Sequence, residues 1–361
     1  MKQEAGNRRP LFDGLWQWDR SAPVPKWQMV SAALGTAMPI VFGALVGRAE
    51  IGFIIALGSL FIVPPDGDVP LKAAVTPYAR VVFTGFAATS LGAWVGPHHS
   101  LTASLILVVM NGLVALAGGI NRTLAANSVR FAIFFMIGTG ISLPTQTHPL
   151  WVGLFSSLGA VWAALISLFF PNMKKEPSRR SLSALDSKAD FHAQMRYWLV
   201  RLKTFRAWSY PIRLVLCLSL AQCIQLLLKS PHAYWISLTI VLVLQRNAAN
   251  GTSRIFQRAT GTFFGVLLGA AVLAFPLSMP WLVLIVACIG GVRRYLKVRN
   301  YAVYSMAMTP LLFILLNRGK QISFDLMVDR LIYTLVGCII ALVFDYWLWT
   351  VGEKRQKTAK K

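Results

Sequence analysis

Acidic residues are scarce in this sequence. Its 361 residues include 13 Asp or Glu against 36 Lys or Arg, a formal charge of +23. Charged residues of both signs make up 14% of the chain, and hydrophobic residues 56%. A soluble domain carries about a quarter charged residues, so that class is excluded. Cysteine is also scarce. Cys217, Cys223, Cys288 and Cys338 all lie in apolar runs without paired spacing, which implies neither a disulfide framework nor a metal site. Phosphate-binding glycine loops, paired His-Glu metal signatures and nucleophile elbows are missing, so neither enzyme chemistry nor a cofactor is expected. The basic residues fall in tails and short loops, as membrane topology demands, and not in one nucleic-acid-binding stripe.

What is present is apolar sequence in runs of membrane-spanning length. The chain reads as an all-α polytopic membrane protein with the lipid bilayer as its main partner. A basic arm, 1–28, carries Trp16, Trp18 and Trp27 at interfacial positions. Six spans are expected within 29–171, at 29–47, 50–63, 79–96, 101–120, 128–143 and 149–170. A polar linker covers 172–210. Six more spans are expected within 211–350, at 211–229, 232–245, 256–275, 280–292, 300–317 and 329–350, before a basic tail at 351–361. Lys and Arg crowd the loops that share a side with both termini. Arg122, Arg130, Arg246, Arg254, Arg258, Arg293, Arg294, Lys297 and Arg299 are among them. Both termini are therefore expected in the cytoplasm, with about twelve spans. In the linker, Phe191, Met195, Trp198, Leu199, Leu202 and Phe205 recur at helical spacing beside Arg196, Arg201 and Lys203. That pattern suits a basic amphipathic helix, either on the inner leaflet or docked on the inner ends of the spans.

The two halves echo each other. Phe131-Ala132-Ile133 leads to Met136 and Thr139 as Tyr301-Ala302-Val303 leads to Met306 and Thr309. Gly159 and Gly337 hold like positions in the last span of each half. Ala88, Gly92 and Gly96 echo the stripe Gly261, Gly265, Gly269, whose small face lets a neighbouring backbone approach. The expectation is two parallel six-helix repeats, a pseudo-dimer within one chain, with higher assemblies left open.

Short or broken helices at matching positions mark binding sites in repeat transporters. The second span of each half is short, ending at Pro64-Pro65 and at Gln245-Arg246. The fifth span of each half is expected to be interrupted, at Gly138-Thr139-Gly140 and at Thr309-Pro310. Guanidinium groups fork onto carboxylates, so Arg258, Arg254, Arg246 and Arg80 form the expected anion filter, with Arg258 paired to Arg80 across the repeat. Gln245, Trp235, Thr309 and Thr139 complete the candidate site. Asp345, inside the last span, reads either as a proton carrier or as the salt-bridge partner of a loop arginine.

Several motifs follow in order: Trp235-Ile236-Ser237-Leu238-Thr239, Val243-Leu244-Gln245, Thr252, Arg254, Arg258, Gly261-Thr262 with Gly265, Asn300-Tyr301-Ala302 through Thr309-Pro310, and Arg330 with Gly337. This series resembles the fusaric acid resistance-like family of aromatic acid exporters, related to the plant aluminium-activated malate channels. The likeness covers residues 232–345 and is weak in the first half. It implies a six-plus-six helical protein of the bacterial inner membrane that moves small organic anions outward, with aromatic carboxylates as the substrate class. It also implies that Arg258 and the Gln245 loop lie near the pathway. A passive anion channel and a non-transporting envelope scaffold are the alternatives. Larger family members carry a sizeable cytoplasmic domain where this chain has only its linker.

Overall fold

In this computed structural model the described residues are 18–19, 24–62, 71–141, 148–169, 191–246, 251–273, 276–320 and 323–358, excluding the side chains of 71–74, 206, 273 and 345–358. Every regular element among them is helical. The first half holds α1 (Lys26–Leu45), α2 (Ala49–Ser59), α3 (Leu71–Val95), α4 (Leu101–Ala117), α5 (Arg122–Thr139) and α6 (Pro149–Phe169). A linker helix α7 (Phe191–Arg201) follows. The second half holds α8 (Phe205–Leu228), α9 (Tyr234–Val243), α10 (Gly251–Leu273), α11 (Met279–Arg299), α12 (Tyr301–Leu316) and α13 (Phe324–Thr358). Among the described residues six helices are long and apolar enough to cross a membrane: α1, α6, α8, α10, α11 and α13. The helices α2, α4, α9 and α12 are shorter and apolar.

The helix α6 is apolar outside and small or polar inside. On α6, Trp151, Leu154, Leu158 and Leu165 face outward, while Gly153, Ser156, Gly159, Ala160, Ala163 and Ser167 are buried. That inversion suits a lipid solvent, where helices pack through small residues and hydrogen bonds and the hydrophobic effect gives no reason to hide leucine.

The packing partners recur between the halves. The helix α3 packs on α5 and α6, and α10 packs on α12 and α13. The short α2 lies against α6, and the short α9 against α13. The crossing of α11 over α1 is matched by that of α4 against α8, and these two contacts tie the halves together. Close approach is enforced at equivalent glycines. A Cβ on Gly337 would lie 2.8 Å from the Ile236 carbonyl, and on the first-half side the Ile55 carbonyl is the nearest atom to Gly159.

Both short helices end inside the bundle, where their last carbonyls have no intrahelical donor and carry the negative end of the helix dipole. Arginines from other elements supply the donors. Arg293 on α11 donates to the carbonyls of Ser59, Leu60 and Ile62 past the end of α2, at 3.2, 2.9 and 3.3 Å. Arg254 donates to the Leu242 carbonyl of α9 at 3.2 Å, and Arg213 to the Gln245 carbonyl at 3.1 Å.

Two expectations are corrected. The fifth span is not broken midway in either half. Thr139 is the last residue of α5, and Gly140 caps it, so Gly138-Thr139-Gly140 is a helix terminus. In the second half α12 runs unbroken through Thr309-Pro310. Proline there costs one intrahelical bond, from its own position to the Met306 carbonyl. That carbonyl lies 2.6 Å from where a Cβ on Gly265 would stand, so the packed neighbour α10 covers the gap.

The linker helix α7 docks. Asn121 at the start of α5 donates its amide to the Gln194 side chain at 3.0 Å, and Trp198 lies over Gly119. Of the two placements open for this helix, the chain uses the ends of α4 and α5, leaving Phe191, Tyr197 and Val200 exposed.

Candidate anion site

Nine of the ten residues of α9 are buried, which puts this short helix at the centre of the second half. Around it, α10 and α13 each present one face. On α10 that face carries Arg254, Arg258, Gly261-Thr262 and Gly265. On α13 it carries Arg330, Thr334 and Gly337. These spacings of three and four residues follow from the helical repeat.

Arg258 is 2% exposed and Arg330 1% exposed. The Nε and Nη2 of Arg258 reach no hydrogen-bond acceptor among the described residues, nor do any of the three nitrogens of Arg330. Arg330 instead lies flat over Trp235, its guanidinium carbon 3.4 Å from the ring centroid. Trp235 stacks on Tyr234 with ring centroids 4.7 Å apart. The Trp235 Nε1, Thr239 and Thr262 Oγ1, the Tyr301 hydroxyl, Ser305 Oγ and Thr334 Oγ1 are also buried without a partner. Four helices thus converge on a set of donors and hydroxyls that includes two cations and no carboxylate among the described residues. An unpaired buried charge is strongly unfavourable, and the deficit here is specific. What the described residues do not supply is an acceptor-rich, negatively charged group.

The other expected site residues fall into different roles. Arg254 stacks on Tyr301, 4.0 Å from the ring centroid, at the edge of the cluster while it caps α9. Arg246 reaches across to the first half, donating to the Ala115 carbonyl at 2.7 Å and to Ser128 Oγ at 3.2 Å, with Tyr210 beneath it. It clasps the two halves together. Gln245 is half-buried, and its carbonyl is held by Arg213. Thr309 is buried and bonds the Ser305 carbonyl at 3.0 Å, against Gly265. Thr139 bonds the Met136 carbonyl at 2.7 Å, against Gly96. Both threonines serve helix packing in this arrangement. Arg80 is exposed on α3, away from Arg258. Its counterpart by the glycine register is not Arg258: with Gly92 set on Gly265, Gly85 stands at the Arg258 position. Asp345 lies on α13, and its side chain is outside the described residues.

Arg330 was not among the candidate residues. Its neighbour Asp329 suggests a local pair at a helix start, yet Asp329 bonds His232 at 2.8 Å. The signal lay two turns on, since Arg330 and Gly337 share the face that meets α9.

The first half has the same frame without the charge. Alignment of Gly92 with Gly265 and of Gly159 with Gly337 sets Thr89 against Thr262 and Ser156 against Thr334. Thr89 and Ser156 satisfy each other at 2.7 Å. The same register puts Gly85 opposite Arg258, Val152 opposite Arg330 and Ile54 opposite Trp235, all buried.

Comparison with known proteins bears on the second half. Residues 216–344 match the family model described as fusaric acid resistance protein-like. The uncharacterized protein YhfK of Escherichia coli is 31% identical over 183 residues, 48% of this chain and 25% of that protein. The inner membrane protein YccS of the same organism is 26% identical over 200 residues, 54% of this chain and 28% of YccS. The uncharacterized protein ORF2 of Neisseria gonorrhoeae is 31% identical over 145 residues, 39% of this chain and 34% of that protein. The chain thus spans about a quarter to a third of the length of these relatives. No solved structure gives a significant match. Through its second half, the chain is similar to the fusaric acid resistance protein-like family.

Proposed function

We propose that this chain is an inner-membrane transporter that exports small organic anions, with aromatic carboxylates as the substrate class, and that the anion is held by Arg258 and Arg330 beside Trp235. One observation carries the reading. Two guanidinium groups are buried in the bundle, five of their nitrogens without an acceptor among the described residues, beside hydroxyls and an indole N–H that also find no partner among them. An organic carboxylate supplies the missing acceptors and charge, and its ring can stack where Arg330 now covers Trp235. The inner-membrane location is supported by the apolar helices and by the likeness to YccS.

The finer architecture belongs to the same proposal: twelve spans as two parallel six-helix repeats, both termini cytoplasmic, and one anion site per chain. The recurring packing partners and the matched short helices α2 and α9 support the repeat. The apolar counterparts Gly85, Val152 and Ile54 support a single site, with the first half acting as a scaffold against which the second half works.

The test is uptake of labelled benzoate into inverted membrane vesicles, with and without an imposed proton gradient, for the native chain and for Arg258→Ala and Arg330→Ala. Gradient-dependent accumulation lost in both variants is the expected result. Flux that only equilibrates identifies a channel. Absence of flux above empty vesicles across a panel of carboxylates overturns the transport reading.

A further inference from the structure

We infer that His232 and Asp329 form a proton-binding site linked to anion binding at Arg330. The inference rests on the anion reading of the Arg258–Arg330 cluster and extends it to what drives or gates that cluster.

His232 closes the turn before α9, and its backbone N–H donates to Ser230 Oγ at 3.3 Å. Its Nδ1 lies 2.8 Å from Asp329 Oδ2 on α13. The two side chains are 37% and 33% exposed, so water reaches the pair. The carboxylate can only accept, so Nδ1 carries a hydrogen in either protonation state, and an added proton goes to Nε2. Both partners stand next to the buried cation–π contact in sequence. Asp329 precedes Arg330 on the same turn, and His232 leads directly into Tyr234 and Trp235. In the proposed topology this is the outward end of the bundle.

The other charged and titratable groups on the elements around the pair are few. They are Lys229 at the end of α8, Tyr234 on α9, and Asp325, Arg330 and Tyr333 on α13, which also carries Asp345 further along. Arg254 and Arg258 lie further along α10, Arg213 at the opposite end of α8, and Arg122 and Arg130 at the opposite end of α5. Asp329 is thus the acid adjoining Arg330, and the charge on His232 sets the net charge of the pair.

The sign of the coupling follows. With His232 neutral the pair carries one negative charge beside Arg330, which opposes a bound anion. With His232 protonated the pair is neutral and the opposition is lost. Anion binding should therefore tighten as pH falls and His232 takes up a proton. By reciprocity, a bound anion raises the affinity of His232 for a proton. The proton comes from water and returns to water, and no bond other than N–H is made or broken.

The experiment measures equilibrium binding of labelled benzoate, ionised throughout, to the full chain in lipid nanodiscs at about pH 8 and about pH 5.5, a span that brackets imidazole titration. The native protein is expected to bind about three- to thirtyfold more tightly at the lower pH, from one partly screened charge removed nearby. His232→Gln should flatten that ratio at the weak level, since glutamine keeps a donor but takes no proton. Asp329→Asn should flatten it at the tight level. A native ratio near one, or a ratio unchanged in both variants, overturns the linkage while leaving the anion site intact. Benzoate binding that is absent at every pH in the native protein overturns the anion reading and the linkage with it.

Discussion

At the scale of single residues, two arginines are held where arginine is most costly. Replacing a buried charge by an apolar group of like volume is often neutral or stabilising, by up to about 4 kcal/mol. Arg258→Met and Arg330→Met are therefore expected to raise the thermal midpoint of the purified protein, by about 2–4 °C per kcal/mol gained, while abolishing anion binding. Benzoate should stabilise the native chain in proportion to its occupancy and leave both variants unmoved. Thermal unfolding with and without benzoate measures both effects, and a variant that melts lower than the native chain would contradict the unpaired-charge account. Arg258 was legible in the sequence because it sits in a motif on an apolar run. Arg330 was not, because its nearest acid in sequence suggested a partner that in three dimensions belongs to His232. Arg80 misled for a related reason. Its place was judged from the expected start of a span, whereas the glycine face of α3 sets the register and turns Arg80 outward.

At the scale of elements, the short helices carry the design. Their brevity could be read from the sequence, since Pro64-Pro65 and Gln245-Arg246 end the apolar runs. The arginines that cap them could not, because Arg293 reaches the end of α2 from the other half of the chain. Arg293→Ala leaves three carbonyls without their donor and is expected to cost about 1–3 kcal/mol per group left unsatisfied. Its effect should fall on thermal stability and leave benzoate affinity within about twofold, a pattern measurable on one preparation. Gly337→Leu should be more severe. Its side chain would have to occupy space held by the Ile236 carbonyl and Thr239, with the nearest of those atoms 2.8 Å from the new Cβ. Poor folding yield in membranes is the expected outcome, and normal yield with normal binding would show that α9 and α13 can part.

At the scale of the whole molecule, the exposed apolar faces and the buried small and polar ones fix how the bundle meets lipid, and composition alone foretold that class. The proposed topology makes a direct prediction. With native cysteines removed, His99→Cys in the loop before α4 should react with a membrane-impermeant maleimide added to the outside of intact cells. Tyr197→Cys on α7 should react only after the membrane is opened, and the reverse pattern would invert the protein. The short helix α9 has a further consequence at this scale. Ten residues rise about 15 Å, half of a hydrocarbon core of about 30 Å. In the proposed topology an anion that passes the Arg258–Arg330 cluster therefore crosses part of the transmembrane voltage beside a helix that spans only half of the core. An inside-negative potential of about 100 mV does about 2.3 kcal/mol of work on each monovalent anion carried out, so under the proposed function the resting voltage would itself drive export.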